Sequence, residues 1–149
     1  MSKIQELPTA LQQKIEGLLT QGGIALRGGD KKKCIEYCLM AWNLIPEPKE
    51  HWMMYPQIIS INLAKEYANL NEQAEFKKWI DIAFEMYHSP EKQELYVLET
   101  EGEGYYKMQN YDEAYRVYHK IFELYGRKAF PGEDLKYYKF MMEYEAKHK

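Results

Sequence analysis

The sequence predicts an all-α protein built from antiparallel helix hairpins, and three observations carry that expectation. Apolar residues recur at helical spacing almost from end to end, interrupted by short stretches of helix-stopping and helix-capping residues. Nine Gly and six Pro among 149 residues supply too few turn signals for a many-stranded sandwich or barrel. With 46% hydrophobic and 29% charged residues the chain is far from a disordered composition. A chain of this length folds as one domain, residues 1–149, burying roughly 68–70 per cent of its unfolded surface.

Seven helices follow from the punctuation. The first spans about Pro8 to Leu26, opened by Pro8 or Thr9 and stopped by Gly28-Gly29. The second starts after the N-cap Asp30 and ends at Pro46-Glu47-Pro48, where proline removes a helical hydrogen bond. The third covers about Glu50 to Leu70, and Asn71, with Glu72 and Glu75 behind it, caps the fourth, which ends near Tyr87. The fifth spans about Glu91 to Met108. Asn110 caps the sixth, which Gly126 closes. Pro131-Gly132-Glu133-Asp134 opens the seventh, with acidic residues at the positive end of its dipole.

Short connections make successive helices antiparallel neighbours, and the pairs repeat. Leu98, Gly102 and Tyr105, then Tyr111, Ala114, Tyr118, Ile121 and Gly126, mark the last pair. A shift of 80 residues gives Leu18, Gly22, Ala25, Lys31, Cys34, Cys38, Ala41 and Pro46; a shift of 38 gives Ser60, Ala64, Tyr67, Gln73, Phe76, Ile80, Ala83 and His88. The middle copy is the weakest. Three repeats, at about 11–46, 50–88 and 91–128, are followed by a capping helix at 131–147.

This pattern resembles the tetratricopeptide repeat, in which small residues on both helices allow close approach; Gly22, Gly102, Tyr67, Tyr105, Tyr111, Ala114, Tyr118, Ala41, Ala83 and Pro46 match its signature. Phe76 stands where Ala is usual and Glu101 where Leu is usual, and the spacings of 42 and 38 exceed the usual 34. The resemblance implies a right-handed superhelix of hairpins with the first helix of each repeat on the concave side. Pro46-Glu47-Pro48-Lys49 with Trp52, and Phe130 followed by Glu133 to Phe140, are similar to short bacterial tetratricopeptide proteins often encoded beside polymorphic toxins. That similarity implies an immunity protein or another toxin-associated partner.

With 20 Lys+Arg against 23 Asp+Glu the net charge is −3, and no basic face is large enough to neutralise several phosphates, so nucleic acid is not expected as a partner. The N-terminal stretch Met1 to Pro8 lacks the apolar core and cleavage site of a signal peptide, and no segment is long and apolar enough to span a bilayer. A cytoplasmic protein without a membrane partner is expected. Cys34 and Cys38, four apart on a helix, are expected as free, packed thiols rather than a zinc knuckle. Glu85-x-x-His88 and Glu145-x-x-His148 place a carboxylate and an imidazole on one helix face, yet lie at helix ends, where solvated charge accounts for them. Ser2, Ser60 and Ser89 stand in no nucleophile elbow, and the glycine pairs are not followed by Lys-Ser/Thr. No catalytic residue, cofactor site or metal site is assigned.

The acidic run Glu91, Glu94, Glu99, Glu101 and Glu103 is the strongest charge asymmetry, and a solvated face is its plainest explanation. Helical spacing also puts Tyr96, Glu99, Glu103, Tyr106 and Lys107 on the inner stripe of the fifth helix, where acid flanked by tyrosine would receive a basic partner. Tyr67, Tyr105, Tyr111 and Tyr118 are expected in the core. On the seventh helix Tyr137, Tyr138, Phe140 and Tyr144 cover more than the one face needed to cap the last repeat, so the surplus is a second candidate surface, for a partner or a homodimer. The leading expectation is a non-enzymatic protein-binding module that occludes a cognate toxin, with a basic toxin domain as the partner surface. Its rival is an adaptor or chaperone that takes a peptide or helix in the groove. A small helical enzyme has no supporting constellation.

Overall fold

A computed structural model describes residues 4–148; Met1, Ser2 and Lys3, which belong to the N-terminal stretch considered above, and Lys149 lie outside the described residues. The described chain is all-helical: α1 (Thr9–Arg27), α2 (Lys31–Leu44), α3 (Tyr55–Asn69), α4 (Gln73–Met86), α5 (Leu95–Lys107), α6 (Tyr111–Tyr125) and α7 (Leu135–Lys147). α1 pairs with α2, α3 with α4 and α5 with α6; α3 also packs on α2 and α5, and α7 lies on α6. Among the described residues no helix is long and apolar enough to cross a membrane.

The repeat extends to the backbone. The three hairpin turns place Gly29, Asn71 and Gln109 in the left-handed region, at φ 86°, 57° and 62°. In each turn the next amide reaches back to the preceding helix: Asp30 to the Ala25 carbonyl, Glu72 to Tyr67 and Asn110 to Tyr105, all at 2.9 Å. This satisfies carbonyls that a helix end leaves open. The turns are separated by the same 42 and 38 residues as the side-chain pattern. Asp30 and Asn110 accept hydrogen bonds from the Lys33 and Glu113 amides as expected of N-caps. Asn71 does not cap α4: it occupies the left-handed turn position, which Asn tolerates, and Glu72 precedes α4 without a side-chain cap.

Equivalent positions form the core. Cys34, Phe76 and Ala114 are buried, as are Cys38, Ile80 and Tyr118, and Ala41, Ala83 and Ile121. The weak middle copy therefore packs like the others. Phe76, the departure from small residues, is accommodated by Gly104: a Cβ there would lie 2.2 Å from its ring. Tyr105 meets the same ring edge-on at 5.1 Å. Tyr111 is a correction, since it remains 43% exposed at the start of α6, where the repeat pattern placed it in the core.

Three helices start later than their apolar patterns. α3 begins at Tyr55 because the preceding segment is held by the N-terminal chain. Gln5 donates to the His51 carbonyl at 2.9 Å, and the Met53 amide donates to Gln5 at 2.7 Å. α5 begins at Leu95 because Ser89 Oγ gathers the Gln93 and Glu94 amides at 3.0 and 3.1 Å, closing residues 89–94 as a turn. α7 begins at Leu135 after a short 3-10 turn, Gly132–Asp134.

Candidate functional site

The inner stripe of α5 opens onto a groove of about 510 Å³ between α3, α5 and α7. Tyr96, Glu103, Tyr106 and Lys107 line it, so four of the five stripe residues come together. The facing elements add Lys65 and Glu66 from α3 and Lys136 and Tyr137 from α7. Lys65 Nζ lies 3.3 Å from the Tyr96 hydroxyl, and Lys107 Nζ donates to Asn69 Oδ1 at 2.6 Å. The groove is therefore mixed in charge, which corrects the expectation of an acidic cleft.

The acidic character lies on the adjoining edge. Glu99 and Glu103 meet Asp134 and the α6–α7 connection around a small cavity with Phe130, Tyr118 and Tyr137. Both glutamates have raised pKa values. Burial is the leading cause for each, followed by the Asp134 charge, with Glu103 and Glu94 adding to the repulsion at Glu99. Lys65, Lys136 and Lys107 act on Glu103 in the opposite sense without reversing the shift. Among the described residues neither Glu99 nor Glu103 has a cation in direct ion-pair contact.

Glu101 departs from the solvated-face expectation. It is buried, with Arg116 Nη2 at 3.3 Å, and burial raises its pKa despite the guanidinium. A charge at a position where apolar residues are usual is thereby satisfied by an arginine on α6. This pair belongs to hairpin packing rather than to the open face.

The seventh helix spends most of its aromatic surplus on the cap. Tyr137 is buried and stacks on Tyr118 at 4.7 Å. Tyr144 stacks on Tyr115 at 4.4 Å, and Tyr138 packs near Phe122 and Phe130. Phe140 meets Tyr106 at 5.2 Å. Tyr138, Phe140 and Tyr144 remain half-buried, so the second candidate surface is narrower than the sequence implies.

Among the described residues no group of three or more His, Cys, Asp or Glu is arranged to hold a metal ion. Glu145 accepts from the Tyr115 hydroxyl at 2.9 Å, and His148 stacks on Tyr144 at 3.9 Å. Cys34 and Cys38 are buried free thiols. Burial, followed by the neighbouring Cys34, pushes the Cys38 pKa up to about 12.

Reasoning along one helix missed Lys65, Lys136 and Asp134. Lys65 had a signal: it stands 38 residues before Glu103, the same position one repeat earlier. Lys136 and Asp134 reach the site through the fold of the last connection. No protein-family profile matches the sequence, and no curated protein matches it.

Proposed function

We propose that this chain is a non-enzymatic protein-binding module that docks a basic segment of another protein along α5, over Glu99 and Glu103 with Tyr96 beside them. The observation that supports this reading is the group of carboxylates on α5 and Asp134, gathered around one small cavity against mutual repulsion, with Glu99 half-buried and Glu103 exposed at its rim. A lysine or arginine from a partner relieves that repulsion on arrival, and complementary charge speeds association. The similarity of the repeat and its flanking segments to toxin-associated bacterial proteins gives the reading its concrete form, a cytoplasmic immunity-type protein that occludes a cognate toxin.

A second reading, an adaptor holding a peptide or helix, is favoured by the groove itself, where Lys65, Lys107 and Lys136 surround tyrosine walls. The two readings use adjoining but different charges. The test is co-purification of the partner from the native host, then association and dissociation rates with that partner at two salt concentrations. Glu99→Lys/Glu103→Lys slows association, with the deficit shrinking in high salt, if the acidic edge is the docking face. Lys65→Glu/Lys107→Glu abolishes binding instead if the groove holds the segment. Wild-type rates for both folded variants place the interface elsewhere and overturn both readings.

A further inference from the structure

A second pocket, of about 450 Å³, lies where the first turn of α6 meets the last turns of α7. It takes no part in the docking edge. Its open walls are the rings of Tyr106, Tyr111 and Phe140; Tyr144 borders it already stacked between Tyr115 and His148, and two carboxylates, Asp112 and Glu143, share the lining. Ring centroids are 5.5 Å apart for Tyr106–Tyr111, 5.8 Å for Tyr111–Phe140 and 6.0 Å for Phe140–Tyr144. Tyr111, the tyrosine that the repeat pattern assigned to the core, is the most open of these walls at 43% exposure. Tyr144 donates a hydrogen bond to Asp112, which ties one carboxylate to one ring.

Aromatic faces carry negative potential and attract cations, most strongly cations whose hydration shell is easily shed. The carboxylates add like-signed potential, and Lys147 and the His148 imidazole, which is stacked on Tyr144, are the basic groups among the lining residues. A neutral apolar ligand would desolvate Asp112 and Glu143 without compensation. A bare metal ion lacks a set of three ligands here. We propose that this pocket binds a methylated ammonium group, whose spread charge and methyl surface suit rings and carboxylates together. The group is carried either by a free small molecule or by a trimethylated lysine side chain.

The test uses the full chain and three probes: choline, its uncharged isostere 3,3-dimethyl-1-butanol, and a short peptide containing trimethyllysine, each titrated by NMR of the tyrosine rings. Choline binds saturably and the neutral isostere ~10-fold more weakly, the ratio expected when a cation–aromatic attraction carries the difference. Tyr111→Leu and Asp112→Asn each weaken choline binding several-fold, about 3- to 10-fold, while Lys147→Gln tightens it. A peptide that binds more tightly than choline assigns the group to a side chain; one that binds equally or less tightly assigns it to a free small molecule. Equal binding of choline and its isostere, no saturation by any probe, or wild-type affinity in Asp112→Asn overturns the proposal. Asp112→Asn keeps the ring walls intact, so the proposal stays testable even where Tyr111→Leu disturbs folding.

Discussion

The first and third hairpins share one turn geometry and close their helix contacts in opposite ways. In the first, Gly22 lets backbone approach backbone: a Cβ there would meet the Cys34 carbonyl and Tyr37 Cβ at 3.4 Å. In the third, glycine makes room for rings. A Cβ at Gly102 would lie 2.7 Å from the Tyr118 ring, and one at Gly104 2.2 Å from Phe76. The difference teaches that the repeat conserves space between helices rather than residue size, and volume passes from one helix to its neighbour. It also explains why the candidate sites gather at the C-terminal end. Tyrosines that fill the third hairpin and its cap bring hydroxyls and ring faces to the rims of the groove and the second pocket, whereas Gly22, Cys34 and Cys38 make a seam with little to offer a partner.

The largest expected effect sharpens this contrast. Phe76→Ala leaves a cavity against Gly104 and lowers stability by about 3–5 kcal/mol, measured by denaturant unfolding. Gly104→Ala forces the Phe76 ring to move and costs about 1–3 kcal/mol, with Gly102→Ala similar against Tyr118. The pair Phe76→Leu/Gly104→Ala is expected to recover part of that loss, because the two sites share one space. Additive losses would show that the ring and the glycine are independent.

A smaller effect concerns charge. Folded-state pKa values of Glu99 and Glu103 are raised, so their ionised forms oppose folding at neutral pH, and protonation relieves that opposition as pH falls through the raised values toward the ordinary glutamate range. Glu99→Gln/Glu103→Gln is therefore expected to raise the melting temperature at pH 7, and the gain shrinks at pH 4. The same titration weakens docking of a basic segment under acid, at a higher pH than ordinary glutamates would give. A variant less stable at pH 7 would show that these carboxylates are favourably paired.

The smallest effects fall on the first hairpin. Gly22→Ala is expected to change stability by less than about 1 kcal/mol, since the helix-interior gain of about 0.5–1 kcal/mol offsets a slight tightening at 3.4 Å. A loss equal to that of Gly104→Ala would break the comparison. Cys34 and Cys38 are expected to resist alkylation in the native protein and react on unfolding, because burial disfavours both thiolates. Fast native labelling would place that seam in solvent.

Local chemistry along the sequence was sufficient for the hairpins. Asp30 and Asn110 cap through hydrogen bonds three residues away, Gly29 ends its helix through its own backbone freedom, and burial at Cys38, Ile80 and Tyr118 follows from helical spacing. Each of these depends on residues within a few turns, which is the range a periodic pattern encodes. The delayed start of α3 does not, since it depends on Gln5 pairing with residues far along the chain. That of α5 is local, but it rests on one serine gathering two amides, a polar feature that apolar periodicity does not register.

The composition of the candidate site shows the same division. From sequence alone Tyr96, Glu99, Glu103, Tyr106 and Lys107 share a helical stripe, and a stripe specifies direction only. Lys65 and Lys136 reach the groove from α3 and α7, and Asp134 reaches Glu99 and Glu103 from the last connection. Tyr111 stays open because α7 covers only part of the face on which α6 presents it. Periodicity determined which side chains point together along each helix. Tertiary packing decided which charges and rings face them, because potential and burial are sums over every neighbouring element.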